Sequence, residues 1–181
     1  PKIKLQEMMK IVKGPDFPTG GYLIAGEELE KAYETGRGKI LIRSKLSVER
    51  ENLGKQSIVV TEIPYQVNKA LLIQKIGQLM VDRKEEFGGI QDVVDESDRH
   101  GMRIVIKLRK DVDATDVLDL LYKNTNLQVS FGINMVMIAD GKPQQLGLLD
   151  IFKYYTEYQK QVVLRRTKYD LAKAKLRHEI V

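Results

Sequence analysis

The sequence predicts an α+β fold, a two-layer body of sheet and helices that runs into a long C-terminal coiled-coil helix. Three observations predict it. Strand-like apolar patterning recurs over 39–48, 57–63, 90–94, 102–109 and 127–139, with period-two alternation in 39–48 and 102–109. Stretches with apolar residues three and four apart lie between them. From Leu148 onward that helical spacing meets no breaker at all. The resulting order of strands and helices implies a sheet with helices mostly on one face.

Taken in chain order, Ile3, Met8, Ile11 and Val12 have helical spacing, and Gly14-Pro15 stops it, because proline lacks an N–H and biases its predecessor away from the helix. GPDFPTGG is then a rigid loop. Residues 27–34 (EELEKAYE) favour a short helix, ended by Gly36 and Gly38. From Lys39 one strand is expected, with Ile40, Ile42, Leu46 and Val48 on one side and Lys39, Arg43 and Lys45 on the other. Residues 57–63 (SIVVTEI) are apolar on both sides, which suits a central strand, and Pro64 closes it. Asn68 can cap a helix carrying Leu72, Ile76, Leu79 and Met80, with Gly88-Gly89 as its terminator. Residues 90–94 and 102–109 read as a strand pair around the acidic loop DESDRHG. Asp113 or Thr115 can cap a helix through Val117, Leu118, Leu121 and Tyr122. Residues 127–139 read as a strand interrupted at Gly132, and Asp140-Gly141 as a hairpin turn. In the last helix Ile151, Tyr155, Tyr158, Val162, Tyr169, Ala172 and Leu176 make a stripe roughly 50 Å long at 1.5 Å per residue. A stripe of that length calls for a partner helix. The expected divisions are 1–26, a helix and connecting loop; 27–146, the α+β body; and 147–181, the first arm of a coiled coil. The chain opens on Pro1 and stops in mid-pattern, so an excised fragment is expected.

Composition narrows the function. The 181 residues include no cysteine, no tryptophan and two histidines, His100 and His178. A disulfide scaffold and a cysteine-ligated zinc or iron–sulfur site are excluded. No apolar run approaches the roughly 20 residues that span a bilayer, and no basic-then-apolar leader opens the chain, so a soluble cytoplasmic location without membrane contact is expected. Net charge is +5, from 30 Lys+Arg and 25 Asp+Glu, which points to an anionic partner. Residues 1–150 hold equal numbers of both signs, 22 each, so the whole excess lies in residues 151–181.

Four constellations bear on chemistry. Asp92, Asp95, Glu96 and Asp98 invite a divalent cation, yet DESDRHG fails the calcium-loop spacing, and a solvated hairpin pairing with Arg99 and Arg103 accounts for them. TGRGK, Thr35 to Lys39, lacks the spacing of a nucleotide-binding loop. A helix cap explains its glycines but not the arginine between them, which suits phosphate contact. Arg37, Lys39, Arg43 and Lys45 stand on the polar side of one expected strand, and Arg103, Lys107 and Arg109 on that of another. Should the two strands share a sheet, these seven merge into a basic face for a DNA backbone; the alternative is a solvated face neutralised by Glu49 and Glu51. Lastly, Tyr154-Tyr155-Thr156-Glu157 offers a phenol as nucleophile. Tyr155 and Tyr158 lie on the apolar stripe, however, where packing at the base of the coiled coil is the expected role.

GPDFPTGG, AYETGRGKILIRSK, VVTEIPYQVNKALLIQKI, DVVDESDRHGMRIVIKLR and LQVSFGINMVMIADGKP, in this order, resemble the A subunits of bacterial type IIA DNA topoisomerases, those of DNA gyrase first and of topoisomerase IV close behind. The resemblance runs from about Ile11 to Val181. It implies a tower domain followed by the first arm of the coiled coil that leads to the C-gate, within an ATP-dependent enzyme that passes one duplex through another. It further implies double-stranded DNA, a B subunit and a second A subunit as partners. Magnesium and ATP would be held by the B subunit, with no cofactor or metal site in this chain. The family's catalytic tyrosine lies in an Arg-Tyr-Thr-Glu motif, expected upstream of Pro1. YYTE has Tyr154 where the arginine belongs and follows FGIN, so no catalytic residue is assigned here and the chain alone is expected to be inactive. The alternatives are a free-standing nucleic-acid-binding module and a scaffold or dimerisation element.

Overall fold

The computed structural model describes residues 2–181. They form two compact units that alternate along the chain: one comprises Gly14–Gly26 and Ile40–Phe131, the other residues 2–13, Glu27–Lys39 and Gly132–Val181.

The first unit is built on an antiparallel four-stranded sheet in the order β3-β4-β6-β5, from β3 (Lys45–Arg50), β4 (Gln56–Glu62), β5 (Ile90–Asp95) and β6 (Ile104–Leu108). Helices α3 (Lys69–Asp82), α4 (Lys84–Phe87) and α5 (Ala114–Asn124) belong to the same unit. Period-two alternation sends Ile58, Val60, Ile104, Ile106 and Leu108 into one core with Leu72, Ile76, Phe87, Val117 and Leu121 of the helices, which makes the two layers expected. Asn68 caps α3 by accepting from the Leu71 amide at 3.1 Å, and Asp113 caps α5 by accepting from the Thr115 amide at 3.0 Å. The helix expected to reach Gly88 stops earlier. Arg83 leaves helical geometry (φ −127°, ψ 57°), and its guanidinium binds Glu86 and Asn124 Oδ1, the latter at 2.6 Å.

Two further departures concern strands. Residues 39–48 are not one strand but β2 (Arg37–Arg43) and β3, which lie in different sheets. Between them Ser44 is buried, and its N–H donates to Leu127 O at 2.8 Å. Residues 127–139 also divide, into β7 (Gln128–Asn134) and β8 (Val136–Ala139). The break falls at Met135 rather than Gly132, because the Met135 N–H leaves the ladder for Gly36 O at 2.7 Å. A short strand that the periodicity does not announce, β1 (Tyr22–Ile24), pairs antiparallel with β2 in the order β1-β2-β7.

In the second unit β8 pairs with β9 (Lys142–Gln145) through the expected Asp140-Gly141 turn, both residues at positive φ. Helices α1 (Leu5–Ile11) and α2 (Glu27–Thr35) lie against α6 (Leu148–Ile180). Leu29, Ala32 and Tyr33 of α2 are buried. Of α6 only Leu148 is buried, and every residue from Phe152 onward is exposed.

Candidate nucleic-acid interface

TGRGK is the passage from α2 into β2. The Thr35 hydroxyl donates to Lys31 O at 2.9 Å, ending the helix, and accepts from the Arg37 amide at 3.3 Å. Gly36 takes φ +86° and turns the chain, after which Arg37 and Lys39 stand two residues apart on β2. A cleft of about 450 Å³ opens there, lined by Arg37, Gly38, Lys39, Gly132, Ile133, Asn134 and Gln145. Gln145 is anchored by its Nε2, which donates to Thr35 O at 3.3 Å. Both cations are exposed, and neither has an ion-pair partner among the described residues. Asn134 and Gln145 were not legible as lining. They arrive from residues about a hundred positions away in sequence, through β7 and β9.

The other five bases differ in how far their charge is engaged. Arg43 donates from Nε to Gln128 Oε1 at 2.5 Å, and its guanidinium lies 4.7 Å from the Tyr122 ring centroid. Burial pushes the Tyr122 phenol up, against the pull of Arg43 and with a smaller push from Asp119. Arg103 binds Glu49 and Glu96, each at 3.1 Å, and the hydrogen bonds to Glu49, then Glu96, raise its pKa further. Arg109 donates from Nε to Gly88 O at 2.9 Å. Lys45 and Lys107 have no ion-pair partner among the described residues.

The expected merging of these bases on one sheet face does not occur. Arg37, Lys39 and Arg43 ride on β2 in the sheet β1-β2-β7, whereas Lys45 and Lys107 belong to the four-stranded sheet. On that sheet's side away from the core, Glu49, Ser57, Lys107 and Asp92 form one cross-strand row. Its one lysine is flanked by two carboxylates. The next row contains Val59 and Val105, both buried, and the Arg103–Glu49 pair reaches across it. Glu49 therefore neutralises as expected, while Glu51 instead accepts from the Ser57 hydroxyl at 3.3 Å.

Comparison with known proteins bears on what such clustered cations serve. The family model for the DNA gyrase/topoisomerase IV A subunit matches residues 1–181. The chain belongs to this family. It is 49% identical over 181 residues to the DNA gyrase A subunit of Clostridium acetobutylicum, 48% to the DNA topoisomerase 4 A subunit of Bacillus subtilis and 46% to that of Staphylococcus epidermidis. Each comparison covers 100% of this chain and 22% of the relative, so the chain spans about a fifth of the length of the curated relatives it matches.

Within this gyrase/topoisomerase IV A-subunit chain the acidic loop is occupied by its own contacts. Asp95 binds Lys69 Nζ at 2.9 Å and accepts from the Ser97 amide at 3.0 Å. Asp98 accepts from the His100 amide at 2.7 Å, and Glu96 pairs with Arg103, whereas Arg99 faces His100 rather than an acid. Among the described residues no three His, Asp or Glu side chains come together as a cation site, and no helix is long and apolar enough to cross a membrane. The Ser97 hydroxyl, then the Lys69 ammonium, hold the Asp95 carboxyl at about 2, below its ordinary 3.8. Since the folded value is depressed, the stabilisation is complete above the ordinary value and is lost as pH falls toward 2. Carbon-detected NMR should place the Asp95 midpoint near 2, and Lys69→Ala should raise it part-way toward 3.8. An unmoved midpoint in that variant would remove Lys69 as a cause. Tyr155 of YYTE is exposed on α6, beside a groove of about 460 Å³ that it shares with Tyr154, Tyr158, Met137 and Ile138. Packing expected of Tyr155 and Tyr158 is not made by the described residues.

Proposed function

We propose that the chain is the tower and first coiled-coil arm of a bacterial type II DNA topoisomerase A subunit. In this reading it supports the bent gate duplex and links the cleavage core to the C-gate during ATP-dependent strand passage, without a catalytic residue of its own. Residues 1–26 connect, residues 27–146 form the tower and residues 147–181 begin the arm. Magnesium and ATP belong to the B subunit, a second A subunit completes the enzyme, and the assembly works in the cytoplasm.

The observation that carries this reading is the cleft at Arg37 and Lys39. Two uncommitted cations two residues apart, over a concave surface with glycine and amide groups, suit sequence-independent contact with phosphates. Lys45 and Lys107 add charge that no carboxylate among the described residues holds in an ion pair. On α6 Lys153 and Lys160 stand on the side away from the apolar stripe and Lys168 and Lys175 on its flank, all four exposed, which suits passage of a second duplex alongside. Membership of the gyrase/topoisomerase IV family supports DNA as the polyanion.

Anisotropy of a labelled duplex of arbitrary sequence, titrated with the chain at several salt concentrations, tests the reading. Four phosphate contacts give log K against log[salt] a slope of about −3.6, and further contacts steepen it. Arg103→Gln should leave the slope unchanged, since Glu49 and Glu96 already hold that charge. A slope shallower than about −1 would favour a scaffold or dimerisation element that does not touch DNA.

A further inference from the structure

The turn joining β3 to β4 places a leucine where neither core nor backbone asks for one. Asn52–Gly54 make a single 3₁₀ turn closed by the Glu51 amide on Lys55 O at 2.8 Å. Leu53 at its tip is 80% exposed and sits in the left-handed region at φ 67°, ψ 29°. Glycine or asparagine relieves that conformation, and a polar side chain would avoid the apolar exposure, so leucine is unfavourable here on both counts. A leucine placed there against both terms points to a contact made outside the chain.

The surroundings of Leu53 indicate what it contacts. The tip is braced by the turn after β6, where the Asp111 amide donates to Gly54 O at 3.4 Å and Asp111 itself has φ 62°. Arg50, Lys55 and Lys110 stand on these two turns, and Lys107 lies opposite Ser57 one residue inside β4; none of the four has an ion-pair partner among the described residues. Of the acids nearby, Glu51 is held by Ser57, Glu49 by Arg103 and Asp113 caps α5, while Asp92 lies opposite Lys107 and the Asp111 carboxylate stands beside Gly54. One projecting aliphatic side chain with Arg50, Lys55 and Lys110 around it does not match a protein hot spot, which clusters aromatic residues in a packed patch. It matches a minor-groove contact, in which an apolar wedge meets sugar and base edges while cations take the flanking phosphates.

We infer that the β3–β4 turn is a minor-groove probe, with Leu53 laid against the groove of duplex DNA and Arg50, Lys55 and Lys110 on the phosphates beside it. This rests on the reading above that the chain meets duplex DNA. It adds a second, apolar point of contact, one that no motif in the sequence announces.

Leu53→Gly separates this role from a structural one, because glycine is at home at φ 67° and the variant keeps its fold. Titration of an A·T-rich duplex carrying 2-aminopurine should show affinity about ten-fold weaker, a diminished fluorescence change and an unaltered salt slope, since the lost contact is apolar. The thermal midpoint should stay within about 2 °C of the parent or rise. Equal affinity in parent and variant, with binding otherwise salt-dependent, overturns the probe and leaves the DNA-supporting reading intact. Equal duplex affinity together with weakened binding of the companion B subunit overturns it too, and puts a protein at the tip. Absence of salt-dependent duplex binding by the parent itself removes the underlying reading and the probe with it.

Discussion

Gly36→Ala destabilises the chain by about 3 kcal/mol or more, and Gly147→Ala by a similar amount. A Cβ on Gly36 would stand 2.4 Å from Leu146 O and 2.8 Å from Leu146 C, at φ +86°, where an L side chain is strained as well. One on Gly147 would stand 2.2 Å from Glu34 O and 2.8 Å from Tyr33 O. Every one of these neighbours is backbone, so no rotamer change relieves the overlap. The last turn of α2 would have to part from the residues that start α6. Gly77 supplies the contrast: it lies within α3 with nothing inside 4 Å of the added carbon, so Gly77→Ala should stabilise by about 0.5–1 kcal/mol through helix propensity. Denaturant unfolding followed by circular dichroism measures all three. Equal midpoints for the Gly36 and Gly77 variants would show that the seam yields easily and would sink the expectation.

Exchanging both Arg37 and Lys39 for glutamate lowers duplex affinity by about two orders of magnitude near 50 mM salt and takes about 2 off the salt slope. At that salt each phosphate contact multiplies the binding constant by roughly fifteen, through release of condensed cations, and two are lost together. The substitution should leave stability nearly unchanged, because both side chains are exposed and have no ion-pair partner among the described residues. The slope is the decisive readout. An affinity loss with the parent's slope would mean a non-ionic cause, such as a distorted β2, and would clear the cleft of phosphate contact.

Much of this fold is readable from side-chain period, and the misreadings share one cause. Ile40, Ile42, Leu46 and Val48 keep the same parity through Ser44, so the pattern cannot reveal that the chain changes sheets there. What ends β2 is the Ser44 amide on Leu127 O, a partner 83 positions away. Met135 leaves its strand for Gly36 in the same manner, at a residue with no breaker character, whereas the flexible Gly132 stays inside β7. Local signals with local consequences came through well: the Asn68 and Asp113 caps, the Asp140-Gly141 turn and the unbroken α6.

The interface divides along the same line. Seven basic residues can be named from alternation, but which of them keep a free charge depends on distant partners. Arg103 meets Glu49, 54 positions away, and Arg43 meets Gln128, 85 positions away. Neither spacing has a period. The arginine set between two glycines in TGRGK was the better guide, since a turn beside a cleft is local geometry. Leu53 escaped notice altogether, because a lone leucine in a polar turn carries no pattern until its backbone angle is known.

The alternation of the two units along the chain sets an order of events on the ribosome. The sheet-bearing unit is complete in sequence once Phe131 has been added, while the other needs Gly132–Val181 to join Glu27–Lys39. At about 5–20 residues per second those last residues take about 3–10 s to make. For that interval α2, whose Leu29 and Ala32 are buried in the folded unit, has no α6 to lie against. The nascent chain thus holds a finished sheet while the apolar face of the otherwise charged α2 still waits for its cover, and that face is where a chaperone would find the immature protein.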